Sequence, residues 1–115
     1  MDSFALRKVK IMNAVSQLET NNINSKAILF PLGRVVATPG ALELMDRMTA
    51  NGFQLLQRHQ SGDWGNVPAD DAIENDFSVV YGNRILSSYL IGDERIWIIT
   101  EADRSSTTLL LPDEY

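Results

Sequence analysis

Eight consecutive residues, Arg58-His59-Gln60-Ser61-Gly62-Asp63-Trp64-Gly65, hold the only histidine of the chain and one of its two tryptophans. His59 is the one side chain whose ordinary pKa suits proton transfer near neutrality. It closes an amphipathic stretch, where the helix dipole favours its protonated form. Asp63 follows four residues later across a turn and is placed to orient the ring. In a purely structural role the same histidine would cap the helix or bridge two loops. Trp64, between Gly62 and Gly65, either presents an aromatic platform for a base or ligand or folds under the loop as an apolar latch, with the glycines supplying positive φ. Arg58, His59, Asp63 and Trp64 are therefore the candidate binding residues.

A catalytic centre would need partners from later in the chain. Glu101, Asp103, Arg104 and Thr107 gather at one turn, where ion pairing and turn formation already explain such residues. If that turn lies near the His59 loop, then His59, Arg84, Tyr89, Arg104 and Thr107 form a polar pocket. That set resembles the compact toxin ribonucleases, in which a helix packs on an antiparallel sheet. His59 would then act as general acid or base, and arginine would stabilise the charged phosphate transition state without metal. One histidine and scattered carboxylates offer no metal-ligand spacing. No glycine-rich loop is present to hold a dinucleotide, so neither metal nor cofactor is expected.

The elements that would position these residues read as an α+β domain, helices packed on an antiparallel sheet. Residues 1–18 have helical spacing, with Ser3 as a cap and a stripe of Phe4, Ile11, Val15 and Leu18. This piece, to about residue 25, has the look of an appendage to a single domain spanning 1–115. Ala27–Phe30 and Arg34–Ala37 flank Pro31-Leu32-Gly33 as a short hairpin, with Pro31 confining the first run to an edge. Thr38-Pro39 starts a helix, as N-cap and first helical residue. It carries Leu42, Leu44 and Met45 inward and stops before Asn51-Gly52. A second helix runs from about Phe53 to Arg58. Pro68 opens a third, with Asp70 and Asp71 in its first turn and Ala69, Ala72, Ile73 and Phe77 as its apolar face. Arg84–Ile91, Ile96–Glu101 and Ser106–Leu111 are β-rich runs joined by short polar links, which makes a C-terminal three-stranded antiparallel meander. Alternation puts Ile85, Ser87, Tyr89 and Ile91 on one face and Leu86, Ser88 and Leu90 on the other. The second face is apolar enough to suggest a homodimer contact or cover from the N-terminal segment.

The composition narrows the class. The 115 residues carry a net charge of −5 and no cysteine. Disulfides, thiolate metal sites and cysteine nucleophiles are thereby excluded. There is no apolar run long enough to span a membrane and no signal-peptide pattern at the N-terminus, so a cytoplasmic location is expected. Beyond Arg7, Lys8 and Lys10 no basic cluster exists to neutralise phosphate, which disfavours nucleic acid as a partner. Asp63, Asp70, Asp71, Glu74 and Asp76 instead lie in a stretch, 61–80, without a base. They form a solvated helix face or an acidic patch for a basic partner.

From about Leu32 onward several segments are similar to a family of small proteins encoded on bacterial plasmids and other mobile elements. These are Ala37-Thr38-Pro39-Gly40-Ala41-Leu42, Arg58-His59, Gly62-Asp63-Trp64-Gly65, Asn75-Asp76, Arg84–Tyr89, Trp97–Ser105 and Thr107–Tyr115. Residues 1–31 lie outside the resemblance, which implies a mobile-element origin and a shared surface rather than a mechanism. Members are sometimes labelled as the modification subunit of a type I restriction enzyme. Methylation is excluded here, since the chain has no Gly-x-Gly cofactor loop and no Asn-Pro-Pro motif. The expectation is a non-enzymatic accessory protein that binds another macromolecule, most simply a protein. The alternatives are the ribonuclease above and an acidic inhibitor of a host DNA-binding defence protein.

Overall fold

The fold is set by four strands and the way their one awkward edge is closed. A computed structural model describes residues 27–115, so the helix expected over 1–18 lies outside the described residues. Among these, β1 (Arg34–Ala37) is followed by α1 (Pro39–Arg47), α2 (Gly52–Gln60) and α3 (Ala69–Tyr81). The meander β2 (Ile85–Ile91), β3 (Glu94–Thr100) and β4 (Ser106–Leu110) and a short 3₁₀ turn (Pro112–Glu114) complete the chain. The sheet order is β1-β4-β3-β2. Both meander pairs are antiparallel, whereas β1 lies parallel to β4.

The α+β class and the meander match the sequence expectation, but the hairpin expected at 27–37 does not form. Residues 27–30 are not a strand. Leu29 N–H binds the Gln60 carbonyl at 2.9 Å, so this stretch docks on the end of α2 instead. Thr107 is the reason β1 finds β4: Thr107 Oγ1 donates to the Leu32 carbonyl at 2.8 Å and fixes the approach to the strand.

Local chemistry sets the helix ends. Thr38 Oγ1 accepts the Ala41 N–H at 3.1 Å, the expected N-cap. Asn51 was expected to help stop α1. It caps α2 instead, its Oδ1 accepting from Phe53 and Gln54 N–H, and α2 extends at both ends beyond the expected 53–58. Helices α1 and α2 bury Leu44, Leu55 and Leu56 against Tyr89, Ile96, Ile98 and Leu109 on one face of the sheet.

Helix α3 departs most from expectation. Its buried residues are Asn75 and Ser78, and Ala72, as expected, packs inward with Val79 against Phe30, Trp64 and Ile85, while Ile73 and Phe77, expected in the core, are 66% and 52% exposed. The physical reason is the outer edge of β2, whose unpaired backbone groups at Leu86, Ser88 and Leu90 must be satisfied. Asn75 does this at Leu86 like a strand neighbour, with Nδ2 donating to the carbonyl at 2.7 Å and Oδ1 accepting the N–H at 3.1 Å. Ser88 pairs with the backbone of Trp64 and Asn66, and Asn66 Oδ1 accepts the Leu90 N–H at 3.3 Å. Gly65 (φ +74°) lets the loop come this close, because a Cβ there would strike the Ser88 carbonyl and the Tyr89 ring.

Removing the Asn75 amide leaves the Leu86 N–H and C=O unpaired at a part-buried edge. Asn75→Ala is expected to lower stability by about 1–3 kcal/mol in urea denaturation and to speed exchange of the Leu86 amide. Unchanged stability and exchange would contradict this role.

Candidate functional site

The sequence singled out the loop after α2, and the structure draws it inward. His59 is 0% exposed. Its Nδ1 lies 2.6 Å from Ser87 Oγ and its Nε2 lies 2.8 Å from Thr100 Oγ1. Thr100 Oγ1 is 2.7 Å from Thr107 Oγ1, which donates to the Leu32 carbonyl. These contacts fix every proton. The single hydrogen of Thr107 goes to Leu32, so Thr100 must donate to Thr107 and can only accept from the imidazole. His59 therefore carries its hydrogen on Nε2, and the bare Nδ1 accepts from the Ser87 hydroxyl. Both imidazole nitrogens and the three hydroxyl hydrogens of this relay are thereby engaged, as burial demands.

The aromatic surroundings exclude water. The Phe30 and Trp64 rings meet the His59 ring edge-on at 5.1 and 6.0 Å between centroids. Burial, with a smaller contribution from the Arg104 charge, holds the His59 pKa down to about 3 from an ordinary 6.5. This overturns the expectation that the helix dipole would favour the protonated ring. Loss of hydration outweighs a helix-end effect of about 2 kcal/mol at most. Asp63 does not orient the imidazole either; Ser87 and Thr100 do.

Arg58 and Asp63 instead pair across the turn, with Nε donating to Oδ2 at 2.6 Å. The guanidinium lies 4.5 Å over the Tyr89 ring, and the Tyr89 hydroxyl donates to the Asp63 carbonyl at 2.7 Å. Burial pushes the Tyr89 phenol pKa up, which keeps it a neutral donor. Trp64 is folded beneath the loop, and its Nε1–H binds Asp76 Oδ1 of α3 at 3.0 Å. The loop thus ties α2, β2 and α3 together.

The five residues considered for catalysis are divided. His59 and Thr107 share the buried chain, and Tyr89 lies on the same sheet face but serves the Asp63 carbonyl. Arg104 sits over the Phe30 ring at 5.6 Å. Its NH2 donates to the Ser78 carbonyl at 2.7 Å, and its NH1 to the carbonyls of Asn83, Glu101 and Ala102. These bonds close the C-terminal end of α3. They also support the positive φ of Arg104 itself, +62°, a conformation that costs about 1–2 kcal/mol. Arg84 is elsewhere, exposed and paired with Glu101 and the Tyr115 hydroxyl. The five side chains therefore do not converge, Arg84 standing apart from the buried His59 and Thr107. Nor, among the described residues, do three His, Asp or Glu side chains converge to hold a metal ion.

Ser87, Thr100, Phe30 and Asn75 were not anticipated. The available signal was the presence of Ser87 and Thr100 on otherwise apolar stripes, because a hydroxyl facing a core requires a partner. In comparisons with known proteins, no family profile, curated protein or solved structure matches the chain.

The neutral buried His59 makes stability depend on pH. Its folded pKa lies below its unfolded one, so its contribution is fully present above pH 6.5 and is lost as pH falls towards about 3. The slope from this group is at most about 1.4 kcal/mol per pH unit. His59→Gln is expected to be less stable at neutral pH and to lack this slope component. Parallel stability curves for parent and variant, measured by urea denaturation across that window, would contradict the assignment.

Proposed function

We propose that this protein is a non-enzymatic, cytoplasmic accessory protein of a mobile element that binds another protein through the outward face of α3. The observation that carries the proposal is the row Ile73, Phe77 and Val80, at i, i+4 and i+7, exposed by 66%, 52% and 73%. Tyr81, stacked on Phe77 at 4.2 Å, extends it. An amphipathic helix that lays such a row in an apolar groove is a recurring mode of protein recognition. Because α3 already docks on the fold through Ala72, Asn75, Ser78 and Val79, Ile73, Phe77 and Val80 are left for a partner. Among the described residues, no helix is long and apolar enough to cross a membrane, so the row is not part of a span. The mobile-element origin rests on the segmental resemblance described above.

A ribonuclease is less well supported, since it requires His59 to meet solvent and to share a pocket with arginine. A decoy for a DNA-binding protein fits the flanking acids of α3 but leaves its apolar centre without a role.

Full-length protein immobilised and exposed to a bacterial lysate is expected to retain a discrete protein. Ile73→Glu and Phe77→Glu should abolish that retention while changing stability by less than about 1 kcal/mol, as befits exposed positions. Retention unaffected in folded variants, or RNA cleavage that depends on His59, would overturn the proposal.

A further inference from the structure

We infer that residues 1–26 of the same chain are the resident occupant of the α3 face, a cationic strap that competes with the external partner. This rests on the proposal that the α3 face is the binding surface.

Three observations converge on this occupant. The first is charge. Helix α3 holds Asp70, Asp71, Glu74 and Asp76 and no base. At 100° per residue, Asp70 and Glu74 flank the apolar row on one side and Asp76 on the other. Residues 1–26 contain four bases and two acids, a net +2, whereas residues 27–115 contain six arginines and thirteen acids, a net −7. The segment has the opposite sign to the surface it would meet.

The second is pattern. Phe4, Ile11, Val15 and Leu18 fall within one narrow arc at helical spacing, and Arg7 and Lys8 fall on either side of it. An apolar stripe with basic flanks is the complement of an apolar row with acidic flanks.

The third is where the described chain begins. Leu29 and Phe30 are pinned to Gln60 by bonds of 2.9 Å. Phe30 stacks on Trp64, whose indole N–H is bonded to Asp76 of α3. The segment therefore joins the body close to one flank of the helix. Residues 19–26 can reach about 28 Å when extended, more than the roughly 20 Å length of the 13-residue helix. The stripe can thus lie along any part of α3. Tethering supplies a local concentration in the millimolar range, so a weak complementary contact suffices, and it remains weak enough for a partner to displace. A second copy of the chain is the poorer occupant, because it would set a face flanked by three acids and no base against itself.

The absence of cysteine allows a single nitroxide to be placed on full-length protein at Gln17→Cys, off the stripe. Amide resonances of Ile73–Tyr81 are expected to broaden more than those of β1 and α1. The broadening should disappear in Arg7→Glu/Lys8→Glu/Lys10→Glu, and the same reversal should raise partner retention several-fold. No preferential broadening of α3 would overturn the inference. So would equal broadening in a mixture of spin-labelled ¹⁴N chain and unlabelled ¹⁵N chain, which would identify a second copy as the occupant. If α3 is not broadened but retention still requires Phe77, the strap fails and the binding surface stands. If α3 is broadened and retention ignores Phe77, the strap stands as intramolecular packing and the binding surface fails.

Discussion

The structure depends on a buried relay of hydrogen bonds: Ser87 to His59, His59 to Thr100, Thr100 to Thr107, and Thr107 to the carbonyl of Leu32. It begins on β2, passes through α2, crosses β3 and β4, and ends at the approach to β1. Each group uses its one hydrogen once, so the order of donation is fixed from one end to the other. In a water-excluded interior, loss of one member strands its neighbours without partners and incurs their desolvation.

The same arrangement encloses the one imidazole of the Arg58–Gly65 loop. The only histidine is neutral, enclosed by Phe30 and Trp64, and has both nitrogens engaged. Arg104, the cation a ribonuclease would turn towards phosphate, closes the C-terminal end of α3. Arg58 and Asp63 close the loop and cover Tyr89. Among the described residues, the α3 row and the acids around it stand on the outside. The polarity of α3 follows from the edge of β2. Capping Leu86 needs an asparagine amide on the inward side, beside Val79, so Ile73, Phe77 and Val80 turn away from the fold.

Where a feature depended on neighbouring residues, it could be read from the sequence. Thr38-Pro39 announces the start of α1, the two short polar links require an antiparallel meander, and the glycines around Trp64 mark a loop that must turn sharply. Features that depended on distant pairing could not be read. Arg34–Ala37 is as plausible in a hairpin with 27–30 as beside β4, and the choice is made by Thr107, more than 70 positions away from Leu32. Helix α3 has apolar residues on several sides, so its spacing permits more than one buried face; only the unpaired edge of β2 selects the one with Asn75. His59 looked like an acid–base group because its partners, Ser87 and Thr100, are 28 and 41 residues away.

His59 is a neutral, fully engaged member of the core. The most direct test of that state is a long-range ¹H–¹⁵N correlation of the imidazole in the native protein. The predicted result is a protonated, pyrrole-type Nε2 and a bare, pyridine-type Nδ1, unchanged through the pH range in which exposed histidines titrate. An averaged signal that titrates with a midpoint near the ordinary 6.5 would show a solvent-accessible ring. It would contradict the relay and return the Arg58–Gly65 loop to the list of possible active centres.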